Sequence, residues 1–286
     1  MGTIETHDYD LTYKIDGNDF SINVSNDSEF GFGEDVCLSK HFNDLTMSQA
    51  WYDQGFTVVA TKPFFNIKKV KARLTELVHR TLTKEGVKVE KDNFSLESYH
   101  KYVSEENHQA IIKKTRRLEP KYFDFDIDSF SDAIRTYFNC NLSWTTLGEY
   151  NPGVITRINM PQSNNFNPAH KDIYQVYDQT KKIPHMVNIW IPICGVGNGV
   201  GLPVVPRSHL INESKIYRTK AGSNVNGYKY NVNCIKDWGS HNELVTISPA
   251  EDEMIFFSSF LIHGLARNLH KDLTRVSLEF RLFVQS

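Results

Sequence analysis

The chain has 286 residues, of which 40% are hydrophobic and 23% charged, and this balance excludes a largely disordered chain, a collagen-like fibre and a coiled coil. Its 32 basic and 34 acidic side chains give a formal net charge of −2, which indicates neither a nucleic acid nor a membrane surface as a partner. No stretch approaches the roughly 18 apolar residues of a membrane span, and the polar N-terminus lacks a signal-peptide core, so we expect a cytoplasmic protein.

The first 140 residues are predicted to form an N-terminal arm and, over 45–140, a mostly helical part. Residues 1–45 are polar and are predicted to form an N-terminal arm, either as short edge strands or as a loose segment. A first helix is predicted to begin at Asn43 or Thr46, as its N-cap, and to stop at Gly55. The remaining predicted elements of this half are a strand at 56–60 and helices at 67–82, 104–119 and 128–139.

The pattern changes after residue 140, where short runs rich in Val, Ile, Phe and Trp alternate with clusters of Gly, Pro and Asn. The predicted strands are 154–160, 186–193, 243–247, 253–262 and 275–284. Such a series indicates a β-sandwich or barrel, and we expect one domain over 1–286 with helical support at 45–140 and a β core at 141–286. The long polar segment between Asn212 and Gly239 is predicted to form a lid over a substrate.

The last predicted strand, 275–284, has one apolar and one polar face. Val276, Leu278 and Phe280 share the apolar parity, whereas Arg275 and Arg281 share the polar one. Two interpretations remain open for the polar face. It is either the solvated side of a surface strand or the wall of a ligand site inside a β-sandwich.

Two short motifs are candidates for a metal site. His170 and Asp172 are separated by one residue, so in an extended segment both side chains point the same way. His263 follows a long apolar strand and supplies a second imidazole. Two histidines and one carboxylate form the facial triad of non-heme Fe(II) oxygenases, in which the opposite metal face stays open.

Arg275 and Ser277 are candidates for binding a carboxylate. Arg275 follows His263 by 12 residues, about the length of one turn and a returning strand. A guanidinium pairs with a carboxylate through two hydrogen bonds, and the serine hydroxyl adds another donor. Arg281 has the same parity and is the alternative to Arg275.

The ordered set of motifs resembles the iron(II)- and 2-oxoglutarate-dependent dioxygenase superfamily. These motifs are HKD at 170–172, HGLARN at 263–268 and TRVSLEFR at 274–281, and NIWIPI with LPVVPRSH at 202–209 is similar to the phytanoyl-CoA dioxygenase-like branch. One departure is Arg207, where the family commonly has glycine.

The resemblance implies a mainly β fold with flanking helices, namely a double-stranded β-helix (a cupin-like jelly roll). It implies that His170, Asp172 and His263 bind Fe(II), and that Arg275 binds the far carboxylate of the co-substrate 2-oxoglutarate. Dioxygen (O2) would then oxidise a small molecule, with succinate and CO2 as co-products. Further cofactor-binding candidates beside Arg275 are Ser277, Asn188 and Arg157, and the candidate substrate contacts are Asn159, Tyr174, Gln175 and Trp190.

Other functions remain open from the sequence. A non-catalytic jelly-roll binding protein could keep the fold, and a zinc hydrolase could use the same three metal ligands. For an oxygenase, the reaction is a hydroxylation, an oxidative cyclisation or a desaturation. Its substrate is either a small polar metabolite or a lipid-like or CoA-linked molecule.

Overall fold

The computed structural model describes residues 8–25, 29–33, 44–123, 127–144, 153–163, 165–180, 183, 185–197, 199–239 and 242–284. Among them the helices are α1 (Ile67–Lys84), α2 (Glu105–Thr115), α3 (Ile127–Phe138) and α4 (Asp172–Thr180). The strands are β1 (Tyr9–Ile15), β2 (Asn18–Val24), β3 (Phe30–Phe32), β4 (Phe56–Ala60), β5 (Arg117–Leu118), β6 (Leu142–Ser143), β7 (Val154–Asn159), β8 (Met186–Cys194), β9 (Leu202–Val204), β10 (Tyr217–Thr219), β11 (Ser223–Val225), β12 (Tyr228–Tyr230), β13 (Ile235–Asp237), β14 (Glu243–Ile247), β15 (Glu253–Ser258) and β16 (Arg275–Val284). None of the described helices is both long and apolar enough to cross a membrane.

The larger sheet carries the helices on its outer face. Its strands follow the order β4-β15-β8-β16-β7-β5, and β6 also pairs with β16. Leu278 and Phe280 of β16 lie in one buried cluster with Leu74 of α1, Ile111 of α2 and Ile134 of α3. The apolar parity of β16 therefore faces the helices, and burial of these side chains holds the helical layer on the sheet.

The polar parity of β16 faces the interior. Arg275, Ser277 and Arg281 are buried, and Glu279 between them is partly buried. The strand is therefore not a surface strand with a solvated face. Because buried polar groups cost free energy unless they are paired, this row of charged and hydroxyl groups requires partners in the interior.

A second sheet closes the fold on the other side. Its strands follow the order β12-β11-β2-β1-β14-β9. Leu11 and Ile22 of this sheet belong to one buried cluster with Met186 and Phe283 of the larger sheet. The chain is thus mainly β with flanking helices, and two facing sheets enclose a polar interior in the predicted double-stranded β-helix.

The first part of the N-terminal arm is an integral part of the second sheet. β1 and β2 form a hairpin whose turn is Asp16 and Gly17, both with positive φ. This is the Asp-Gly turn that a two-residue hairpin favours. β1 also pairs in parallel with β14, and β2 pairs with β11, so these two strands lie inside the sheet and are neither the predicted edge strands nor a loose segment.

Three predicted elements are shorter than expected. The helix predicted up to Gly55 is only a 3-10 helix at Leu45–Ser48 with Asp44 as N-cap, and Asn43 lies outside the described residues. The helix at 104–119 ends at Thr115, because the next residues join the larger sheet as β5. The strand at 253–262 ends at Ser258, whose carbonyl accepts a hydrogen bond from the Leu261 amide in a turn.

The segment predicted as a lid is folded into short strands. β11 pairs with β2, and β10 lies between β13 and β3.

Arg207, in the turn after β9, adopts a φ of 67°, in the left-handed region that glycine enters at lower cost. Arg207 therefore keeps the backbone conformation that a glycine would favour at this turn.

Candidate active site

His170 and His263 are brought together by the backbone. The His170 amide donates to the His263 carbonyl at 2.9 Å, and the His263 amide donates to the His170 carbonyl at 3.0 Å. The turn after β15 makes this pairing possible. Gly264 follows with a φ of 138°, and a Cβ there would lie 2.2 Å from the Pro168 carbonyl oxygen, so only glycine permits the approach of these two segments.

Asp172 completes a buried cluster with the two histidines. It is the first residue of α4, and one ligand atom from each of the three residues lies within 4.8 Å of the others. All three side chains are buried. The sequence-predicted triad is therefore assembled by two segments that are distant in the chain and adjacent in the fold.

Backbone carbonyls fix the proton on each imidazole. Nδ1 of His170 lies 2.7 Å from the Pro168 carbonyl oxygen, and Nδ1 of His263 lies 3.0 Å from the Leu261 carbonyl oxygen. A carbonyl can only accept, so in neutral imidazoles Nδ1 is protonated and Nε2 carries a lone pair. Nε2 of His170 lies 3.5 Å from Asp172 Oδ1, and Nε2 of His263 lies 3.8 Å from Oδ2. Two lone pairs and a carboxylate thus converge, an arrangement that a cation would stabilise.

Arg281 positions the carboxylate of the cluster. Its Nη2 donates to Asp172 Oδ1 at 2.5 Å. Burial alone would raise the pKa of Asp172, but the charge of Arg281 and the two neighbouring histidines hold that pKa well below its usual value. Asp172 is therefore ionised, with Oδ1 engaged by Arg281.

Burial lowers the pKa of His263 to about 4, with a further contribution from His170. The unfolded chain keeps the ordinary value of about 6.5, so it binds more protons than the folded chain between these two values. We expect the metal-free chain to lose stability as the pH falls from about 6.5 to 4, by on the order of 3 kcal/mol. Urea unfolding at a series of pH values would measure this loss.

The His263→Asn variant is the control for this prediction, because it removes the titrating imidazole. Its free energy of unfolding should fall clearly less over the same interval, and the loss that remains comes from other groups such as His108, whose pKa burial also lowers. Asp172 does not confuse the result, because its pKa starts from 3.8 and is lowered further, so its contribution is lost only at lower pH. Equal pH dependence in both proteins would contradict the prediction.

A buried ionic network supports the loop that carries His170 and Asp172. Lys171 pairs with Glu213 at 2.8 Å, and both side chains are fully buried. The Tyr174 hydroxyl donates to the other carboxylate oxygen of Glu213 at 2.8 Å, and the Arg218 guanidinium lies 3.9 Å from the Tyr174 ring centroid. Tyr174, a candidate substrate contact, therefore lies in this network behind the triad.

Arg275 lines a cavity that reaches both histidines. The same cavity is lined by Asn159, Trp190 and Ser277. Nη1 of Arg275 donates to Asn159 Oδ1 at 2.7 Å, and Nη2 donates to the Gly201 carbonyl at 2.9 Å. In the part of the chain that the structure describes, Nε of Arg275 and Oγ of Ser277 have no hydrogen-bond partner.

The charge of Arg275 is not directly paired with a carboxylate among the described residues, although Glu279 lines the same cavity and its charge opposes the effect of burial on the Arg275 pKa. The side chain is 1% exposed and forms no ion pair with any described carboxylate. Burial lowers its pKa to about 10, so the guanidinium remains charged at neutral pH. A buried cation without a counter-ion is costly, and an anionic ligand in this cavity would remove that cost.

The other candidate residues are distributed around this cavity. Arg157, a cofactor-binding candidate, pairs with Glu279, and its Nη1 donates to Asn167 Oδ1 at 3.3 Å, so it forms a structural ion pair and also lines the cavity. The Trp190 ring centroid lies 5.5 Å from the Arg275 guanidinium.

Asn188 is buried opposite Arg281, and neither polar atom of its amide has a partner among the described residues. Gln175 lines a second cavity, and Asn159 bonds to Arg275.

Sequence reasoning missed the roles of Arg281, Lys171 and Glu213. The alternation along β16 does place Arg281 on the interior face, but not beside Asp172. Lys171 stands between two candidate ligands and resembles a solvated charge in the sequence. Only its contact with Glu213, 42 residues away, reveals that it is buried.

No protein-family model and no curated protein sequence matches the chain. Among solved structures, AviO1 from Streptomyces viridochromogenes Tue57 is 13% identical with a TM-score of 0.46, covering 85% of this chain and 96% of AviO1. EctD from S. alaskensis with 2-oxoglutarate and 5-hydroxyectoine is 11% identical with a TM-score of 0.47, covering 90% of this chain and 84% of EctD. The non-heme alpha ketoglutarate dependent carbocyclase SnoK from nogalamycin biosynthesis is 12% identical with a TM-score of 0.42, covering 82% of this chain and 81% of SnoK. At these values the similarity by itself assigns neither an activity nor a substrate to this chain.

Proposed function

We propose that this chain is an Fe(II)- and 2-oxoglutarate-dependent oxygenase of a small polar metabolite. The observation that carries the proposal is a combination of two features at one cavity. One feature would bind a cation, and the other would bind an anion. At one end, His170 and His263 direct lone pairs towards the Asp172 carboxylate. At the other end, Arg275 is a buried cation without a carboxylate partner in the described chain.

The donor set fits iron. Two imidazole nitrogens and one carboxylate form the facial arrangement of non-heme Fe(II) sites, and the backbone hydrogen bonds at Nδ1 orient both rings for coordination through Nε2. When bound, the metal supplies the activation of dioxygen, coupled to conversion of 2-oxoglutarate to succinate and CO2. His170, Asp172 and His263 would hold it.

The other residues bind, orient and exclude water. Arg275 would pair with the far carboxylate of 2-oxoglutarate, and the Ser277 hydroxyl would donate to the same group. Asn159 holds the Arg275 guanidinium in place through Nη1. Trp190 and Leu202 line the same cavity as Arg275, and their apolar side chains would keep water from such an ion pair and strengthen it.

The test is succinate formation by the purified chain loaded with Fe(II) under anaerobic conditions. Admission of dioxygen should release succinate in proportion to the 2-oxoglutarate consumed, slowly without a substrate and faster with one. The chain loaded with Zn(II) should form no succinate, because zinc has no redox chemistry. Fe(II)-loaded chain that forms no succinate with any candidate substrate would refute the proposal and favour a binding protein.

A further inference from the structure

A second cavity reaches the triad and is strongly basic. It shares Arg157 and His170 with the first cavity. Arg116, Arg117, Lys229 and Arg281 are among its other lining residues, and no described residue that lines it carries a carboxylate. The cavity therefore combines access to the candidate metal site with a wall of one charge sign.

Two of the five basic side chains that line this cavity are paired with carboxylates, and three are not paired within the described residues. Arg157 pairs with Glu279, and Arg281 with Asp172. Arg116, Arg117 and Lys229 form no ion pair within the described residues and are exposed. The neighbouring charge of Arg157 lowers the pKa of Arg116, which is the effect of crowding like charges.

Backbone hydrogen bonds from separate elements hold these cations at one place. The Arg116 carbonyl accepts from the Thr156 amide at 3.0 Å, and Arg117 pairs with Ile155 in the β5–β7 ladder. Lys229 comes from β12, in the segment predicted as a lid. Because like charges repel, three unpaired cations converging on one mouth favour an anion there.

The rest of the lining is polar. Gln175, Asn231 and Tyr230 contribute amide and hydroxyl groups, and the Tyr230 hydroxyl donates to Asn165 Oδ1 at 3.0 Å. Apolar side chains are few, so the cavity does not offer the continuous apolar wall that a lipid chain requires. A polar anion fits this lining better than a lipid.

We propose that Arg116, Arg117 and Lys229 bind an anionic group of the substrate, a carboxylate or a phosphate, and thereby orient the substrate towards the triad. The assignment of this anion as the substrate rests on the proposed oxygenase function. The binding of an anion in the second cavity does not depend on that function, and it can be measured without iron or 2-oxoglutarate.

Three small molecules with one carbon skeleton test the proposal: glycerol 3-phosphate, glycerate and glycerol. Their binding to the full metal-free chain can be followed by ligand-observed NMR. At least one anion should bind, and neutral glycerol should not. The tighter of the two anions identifies the substrate group as a phosphate or a carboxylate. The double variant Arg116→Gln, Lys229→Gln should bind that anion about tenfold more weakly or worse, because it loses two charge-assisted contacts.

Two controls locate the effect. The double variant Lys62→Gln, Arg73→Gln removes the same charge from exposed positions that do not line the cavity, and it should bind as the unmodified chain does. Arg275→Gln removes anion binding in the first cavity only, so the binding that this variant retains should be lost when Arg116→Gln and Lys229→Gln are added. The proposal is wrong if neither anion binds at millimolar concentration, if glycerol binds equally well, or if only Arg275→Gln abolishes binding. A chain that binds the anion but forms no succinate would refute the oxygenase function and leave the anion site in place.

Discussion

Replacing His170, Asp172 or His263 with alanine is expected to weaken Fe(II) binding by more than about a hundredfold, a larger loss than removal of a neighbouring supporting group causes. Each variant removes one of only three protein donors that converge in the cluster. Isothermal titration of the anaerobic chain with Fe(II) measures the effect directly. Succinate formation should be lost in parallel.

The control for these variants is His185→Ala, which removes an exposed imidazole from the chain. Its Fe(II) affinity should equal that of the unmodified chain. Thermal unfolding of each variant shows whether the fold survives the substitution. Folded variants that retain full Fe(II) affinity would contradict the assignment of the metal ligands.

Replacing Arg275 with glutamine is expected to raise the KM for 2-oxoglutarate about tenfold to a hundredfold. Loss of a charge-assisted contact to a buried carboxylate costs about 1.5–3 kcal/mol, which corresponds to that range. The Fe(II) affinity should stay unchanged, because Arg275 hydrogen bonds to Asn159 and Gly201 and not to the triad. Initial rates of succinate formation at varied 2-oxoglutarate, together with Fe(II) titration, separate the two effects.

The matched variant is Arg281→Gln on the same face of β16. Because Arg281 donates to Asp172 Oδ1, its loss should lower the Fe(II) affinity by about tenfold to a hundredfold, and it should change the KM for 2-oxoglutarate less. If Arg281→Gln raised that KM more than Arg275→Gln does, the two arginines would have to exchange roles. The contrast between them is therefore the sharpest test of how the cavity is organised.

Much of the fold follows from local patterns. The alternation along 275–284 predicts β16, and its apolar parity does pack against the helices. The spacing of Val70, Leu74 and Val78 predicts α1, and these side chains are buried on one face. Such predictions succeed because apolar residues repeat along the sequence with the period of the strand or helix. Burial of these side chains then selects one face of the element.

Local patterns fail where a contact with a distant residue ends an element. The strand prediction at 253–262 treats an apolar run as continuous, but Ser258 begins a turn that returns the chain to His170. The helix prediction at 104–119 includes Arg117, which pairs with Ile155 in the larger sheet. In both cases a long-range hydrogen bond outweighs the local preference.

The sequence by itself determined most of the longer elements and the shared parity of Arg275 and Arg281, opposite to that of Val276 and Leu278, and through resemblance it predicted the three triad residues. Only the tertiary structure decided that Arg281 engages Asp172 while Arg275 pairs with no carboxylate of the described residues. It also decided that Arg116 and Lys229, 113 residues apart, line one cavity. The physical reason is that parity tells which face a side chain takes, whereas its partner depends on strand register and on charges contributed by other elements.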